Sequence, residues 1–122
     1  MACILLVEDH HVFRGSVAKI LQRERGLEVI GQVESVAECR SFLSTGEQVD
    51  MAIVDLYLPD GDGTEVIGDL RGANPNASVF VLTASLNPQD HVRAREAGAD
   101  EVLSKASSLE EIVEVVRRLA GP

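Results

Sequence analysis

A chain of 122 residues with 45% hydrophobic and 25% charged side chains can bury about two-thirds of its unfolded surface, so one domain spanning residues 1–122 is expected. Its formal net charge of −9 works against direct binding to nucleic acid or to an acidic membrane, because both are held chiefly by Lys and Arg. No apolar run is long enough to span a bilayer, and Met1 leads into Ile4–Val7 without a basic leader, which makes the cytoplasm the expected location.

Taken in order, the chain alternates apolar runs with amphipathic stretches. Residues 3–7 (CILLV) predict a first strand that stops at Glu8-Asp9. Phe13, Val17, Ile20 and Leu21 follow at helical spacing, and Gly26 ends that helix. Leu27–Val33 predicts a second strand. Ser35 and Glu38 read as a capping box ahead of Val36, Cys39 and Leu43, with Gly46 as the stop. Cys3 and Cys39 lack Cys-x-x-Cys spacing and are expected to be buried free thiols.

Met51–Asp55 is a third apolar run, and it ends in a carboxylate. A helix from Gly63-Thr64 carries Val66, Ile67 and Leu70 and breaks at Asn74-Pro75-Asn76. Ser78–Thr83 predicts the fourth strand. From Pro88 to Ala97 the chain reads as a helix with Pro in its first turn, yet it has few large apolar residues and should be weakly anchored. A short fifth strand, Glu101–Ser104, precedes a helix opened by Ser107 or Ser108 and striped by Leu109, Ile112, Val113, Val116 and Leu119. Five β/α alternations predict an α/β fold, a parallel sheet covered by helices on both faces.

In an open parallel sheet, ligands gather beyond the carboxyl ends of the strands. Glu8 and Asp9 follow the first strand, Asp55 ends the third, Thr83 ends the fourth and Lys105 follows the fifth. If the strand order is 2-1-3-4-5, the first and third strands are neighbours at about 4.8 Å, and Glu8, Asp9 and Asp55 share one small volume. Three such carboxylates need a counter-charge. Magnesium suits them, since it accepts few carboxylates, keeps several waters and leaves room for phosphate oxygens. Lys105 adds a second positive charge and Thr83 a hydroxyl donor. Together they form an anion clamp around Asp55, a carboxylate that can itself be a nucleophile toward phosphorus.

The set Glu8-Asp9, Asp55 followed by Pro59 and Gly63, Thr83-Ala84, and Lys105 closely resembles the receiver domain of two-component response regulators, over essentially the whole chain from Ile4 to Leu119. The run from Glu8 through His10, His11, Phe13, Arg14 and Gly15, with LPDGDG at 58–63, is most similar to receivers of the nitrate-regulator type, which precede LuxR-family helix-turn-helix outputs. The resemblance supplies the strand order and implies a flavodoxin-like doubly wound (βα)5 three-layer sandwich. It implies that Asp55 accepts phosphate from a sensor histidine kinase. Glu8, Asp9, Asp55 and the Tyr57 backbone carbonyl would hold magnesium. Lys105 would pair with the phosphoryl group. Thr83, with Ala84 beside it, would swing toward the phosphate and alter the surface around the fourth helix, fifth strand and fifth helix. Such a domain is a switch, not a turnover enzyme, catalysing only its own phosphorylation and dephosphorylation.

Three residues depart from the family pattern. Glu8 stands where many relatives have aspartate, Val102 takes a position that is usually aromatic, and Ala106 replaces proline or aspartate. At Val102 a rotating aromatic cannot report activation, which leaves the coupling from Thr83 to the surface unassigned. The Tyr57 ring, two residues after the acceptor, is expected to slow loss of phosphate.

Single residues have plainer readings. Asp9 alone would be a helix cap and Glu8 a solvated acid, and His10 and His11 are expected to face solvent. Asp60-Gly-Asp62-Gly lacks the remaining ligands of a calcium loop and reads as a turn into a helix. A flavodoxin-type cofactor module would need a Ser, Thr and Gly-rich first loop where this chain has Glu-Asp-His-His. A metal-dependent phosphoryl or nucleic-acid enzyme built on Glu8 with Asp60 and Asp62 leaves Asp55, Thr83 and Lys105 without a role. Pro122 reads as the start of a linker to a transcriptional output, and the alternative is a stand-alone single-domain regulator acting through protein contacts. Homodimerisation through a helix face is a further expectation, with no face specified.

Overall fold

Along β1 (Ala2–Val7), Ile4 and Leu6 enter one core while Leu5 and Val7 enter another, and all four are buried. A strand apolar on both faces requires cover on both. That cover is present in the computed structural model, which describes residues 1–121. After β1 come α1 (His11–Gln22), β2 (Leu27–Val33), α2 (Val36–Leu43), β3 (Met51–Val54), β4 (Tyr57–Leu58) and β5 (Gly61–Asp62). The chain continues through α3 (Gly63–Ala73), β6 (Ser78–Thr83), α4 (Pro88–Glu96), β7 (Glu101–Ser104) and α5 (Leu109–Ala120). Pro122 lies outside the described residues.

Five strands pair in parallel in the order β2-β1-β3-β6-β7, which is 2-1-3-4-5 when only this sheet is counted. Val17, Ala18 and Leu21 of α1 and Ile112 and Val116 of α5 close one face. Val36 and Cys39 of α2, Val66, Ile67 and Leu70 of α3, and Ala94 of α4 close the other. The expected three-layer α/β sandwich is therefore the observed fold. Both cysteines are free, Cys39 fully buried and Cys3 half-buried, and burial pushes the Cys39 thiol up to about 11.

Local chemistry sets the helix starts. Ser108 opens α5 with a reciprocal capping box to Glu111, and Asp62 does the same for α3 with Glu65. At α2 only half of the expected box exists. Ser35 Oγ accepts from Glu38 N–H, but the Glu38 carboxylate accepts from Glu34 N–H, not from Ser35. The remaining α2 donors are met by Asp60, which accepts from Val36 N–H at 2.8 Å and Ala37 N–H at 3.0 Å. The cap of α1 is His10, whose Nδ1 accepts from Phe13 N–H; its ring is exposed but is not merely solvated. As anticipated, α4 is thinly anchored, with Asp90 and Ala94 as its buried residues.

Candidate functional site

The register of the sheet brings the site together. Val7 is opposite Val54, so Glu8 and Asp55 emerge side by side one residue past β1 and β3. Asp55 N–H donates to Val7 O at 3.0 Å and Glu8 N–H to Val33 O at 2.9 Å, which continues the ladder beyond the last strand residues. Asp55, expected within the third strand, thus lies just after it, where the strand's hydrogen bonding fixes the backbone but the side chain reaches the sheet end. Thr83 is opposite Ser104, and Lys105 N–H donates to Thr83 O at 2.9 Å.

Four of the expected side chains converge there. Glu8 and Asp55 are each only 6% exposed, and ligand oxygens of Glu8, Asp9 and Asp55 lie within 4.8 Å of one another. Lys105 Nζ lies 2.7 Å from Glu8 Oε1 and 3.0 Å from Asp55 Oδ2. Two buried carboxylates are thereby neutralised in part by one ammonium, which also sits 5.1 Å from the centre of the Phe13 ring. Burial pushes the Glu8 carboxyl up, against the hydrogen bonds from Lys105 and from His10 N–H. Burial would lower Lys105, but its bonds to Glu8 and Asp55 hold it above the ordinary lysine value, so it is charged at neutral pH.

The oxygen-only donor set of Glu8, Asp9 and Asp55, with Asp9 exposed at its rim, fits a hard cation such as magnesium. Gly63 makes the loop possible. A Cβ there would fall 2.2 Å from the Asp55 carbonyl oxygen and 2.8 Å from Leu56 Cα, so α3 packs onto the Asp55-Leu56 backbone only without a side chain.

Thr83 is fully buried, and its Oγ1 accepts from Ser85 N–H at 3.1 Å; among the described residues it makes no bond to Asp55. Tyr57 N–H donates to Asp55 Oδ1 at 3.3 Å, while its hydroxyl donates to Asp90 Oδ2 at 2.6 Å. Val102 is buried in the core under α2, α3 and α4, opposite Val81.

Residues 4–117 match the response regulator receiver domain. The chain belongs to that family. It is a receiver domain of a two-component response regulator, a family of switches. Among its relatives is the response regulator GacA of Pseudomonas aeruginosa, 29% identical over 98% of this chain and 55% of that protein. A LuxR-family two-component response regulator from Aurantimonas sp. superposes with a TM-score of 0.88 at 25% identity, covering 98% of this chain and 85% of that one. A Burkholderia pseudomallei response regulator, solved with a phosphorylated aspartic acid, calcium ion and citrate, superposes at 0.82 with 29% identity over all of this chain and 76% of that one. The chain spans about half the length of the curated relatives it matches.

Three residues around the receiver site escape sequence reasoning. Asp90, Ser85 and Arg93 join Tyr57 in a polar network: Ser85 Oγ donates to Asp90 Oδ2 at 2.5 Å, and Arg93 bridges Asp90 and Asp62. Asp90 stands three residues after the Asn87 cap, so its sequence signal is that of a capping acid.

Proposed function

We propose that Asp55 is the phosphoacceptor of this receiver and that it takes a phosphoryl group from a sensor histidine kinase in a magnesium-dependent reaction. The observation that carries this is the Lys105 ammonium bridging Glu8 and Asp55, with Asp9 alongside, at the carboxyl end of the sheet. An Asp55 carboxylate oxygen would attack phosphorus, an O–P bond forming as the N–P bond to the kinase histidine breaks and its electron pair returns to the imidazole. Glu8, Asp9, Asp55 and the Tyr57 carbonyl would hold magnesium, which when bound supplies positive charge for the phosphoryl oxygens. Lys105 pairs with the same oxygens, and the Thr83 hydroxyl, with Ala84 N–H next to it in the chain, donates to them once the loop moves in. Nothing here needs a turnover substrate.

The domain is read as residues 1–122, working in the cytoplasm; no helix among the described residues is long and apolar enough to cross a membrane. The LuxR-family neighbour and the half-length match to the curated relatives support a transcriptional output outside this chain, so any DNA contact belongs to that output. Homodimerisation would be a consequence of the switch and not part of the site. Beryllofluoride or acetyl phosphate with magnesium tests the assignment by mass spectrometry and NMR. An adduct is expected on the wild type and none on Asp55→Asn. Failure of the wild type to react, or reaction of Asp55→Asn, contradicts it.

A further inference from the structure

Tyr57 has its two ends in different places. Its backbone N–H touches the Asp55 carboxylate, and its hydroxyl touches Asp90 near the start of α4. The same Asp90 oxygen accepts from Ser85 Oγ, and Ser85 N–H in turn donates to Thr83 Oγ1. Arg93 lies 6.0 Å from the centre of the Tyr57 ring and ties the other Asp90 oxygen to Asp62, the cap of α3. A continuous path of hydrogen bonds and side chains therefore runs from the Asp55 loop to α4 and on to the strand end that carries Thr83.

We propose that Tyr57, Asp90 and Ser85 form a latch that holds α4 and the β6–α4 loop against the acceptor loop, and that movement of Thr83 toward Asp55 opens it. The trigger rests on the phosphoacceptor reading above; the latch itself rests on the bonds in the unphosphorylated chain. Thr83 and Ser85 are two residues apart and share a hydrogen bond, so an inward shift of Thr83 carries Ser85 off Asp90. Asp90 is only 9% exposed, and a buried carboxylate deprived of a donor must find water or another partner. For α4 the consequence is large, because Asp90 and Ala94 are its buried residues and little apolar contact resists its release. Val102 is packed in the core, where it has no hydroxyl or ring to carry a signal. The latch supplies that connection by a different chemistry, polar and on the acceptor side of α4.

Amide hydrogen exchange across α4 decides it, in the unphosphorylated wild type, Tyr57→Phe and Ser85→Ala, with α1 and α5 as internal references. Loss of one donor to a charged acceptor predicts about tenfold faster exchange over Pro88–Glu96, with the reference helices unchanged. Wild type carrying a beryllofluoride adduct should approach the α4 exchange of unmodified Tyr57→Phe. Unchanged α4 exchange in both variants, or equal loosening of every helix, overturns the latch. An adduct that leaves wild-type α4 exchange untouched overturns its opening by Thr83. Absence of any adduct on the wild type counts against the phosphoacceptor reading alone, and the comparison of unmodified variants still decides whether the latch exists.

Discussion

Lys105 Nζ reaches Glu8 Oε1 at 2.7 Å and Asp55 Oδ2 at 3.0 Å, so a single ammonium joins the ends of β1, β3 and β7. Removing it leaves two nearly buried carboxylates facing each other. Lys105→Met should therefore lose about 2–3 kcal/mol of stability at neutral pH in urea unfolding, toward the low end for a broken buried pair because the lysine is partly exposed. Adding Glu8→Gln to that variant should return part of the loss, and a midpoint equal to wild type would contradict the pairing.

Asp90 supplies a pH test with a definite sign. Its bonds from Ser85 and then Tyr57 hold its carboxyl below the ordinary aspartate range despite burial. A group whose folded value is depressed contributes stability above its unfolded value, and that contribution is lost as pH falls through the folded one. Wild type should thus lose stability more steeply than Asp90→Asn as pH drops below about 4. Parallel curves of urea midpoint against pH for the two proteins would exclude this role for Asp90.

Gly63 and Gly68 both lie in α3 but should respond oppositely to alanine. At Gly63 the added carbon meets the Asp55 carbonyl oxygen and Leu56 Cα, backbone that cannot yield without moving Asp55, and a loss of about 2–3 kcal/mol is expected, with impaired adduct formation at the proposed acceptor. Gly68 is exposed with nothing within 4 Å of its Cβ, so Gly68→Ala should gain about 0.5–1 kcal/mol by thermal or denaturant unfolding. Similar outcomes at the two positions would mean that close packing at Gly63 does not set the loop.

Tyr57 is 55% exposed, with its backbone N–H on the Asp55 carboxylate and its hydroxyl held by Asp90. Tyr57→Ala should shorten the lifetime of the aspartyl phosphate by removing the shield against water, whereas Tyr57→Phe should retain more of it. The decay of phosphoprotein on Phos-tag gels measures both. Equal lifetimes for wild type and Tyr57→Ala would end the shielding role.

Much of this fold was legible because its central strands β1, β3 and β6 are buried on both faces, which turns each into a short apolar run such as Ile4–Val7 or Val79–Leu82. The meeting of Glu8, Asp55 and Lys105 was legible for a related reason: they lie next to strand ends, and the strand order implied by the family resemblance makes β1 and β3 neighbours. What sequence could not rank were choices among equivalent polar partners. Asp9 and His10 are both possible caps for α1, and the histidine holds the position. Glu38 satisfies Glu34 where Ser35 was expected, and Asp60 reaches α2 from across the chain. The Tyr57-Leu58 and Gly61-Asp62 ladder is two residues per strand, too short for any period to register. Asp90 shows the limit most plainly, since only the tertiary packing turns its carboxylate away from its own helix start and toward Tyr57.

Asp60 and Asp62 crowd the acceptor loop of a chain whose formal net charge is already −9. Yet the amides of Ala37 and Val36 hold the Asp60 carboxyl below the usual range. Burial raises Asp62, but the Thr64 amide and Arg93 more than offset it. Both stay ionised while a helix end or a guanidinium absorbs their field. For the proposed phosphotransfer, an anionic donor approaching Asp55 would meet a loop rich in carboxylates whose charge is largely compensated by neighbouring helices, an approach electrically quieter than the loop's composition suggests.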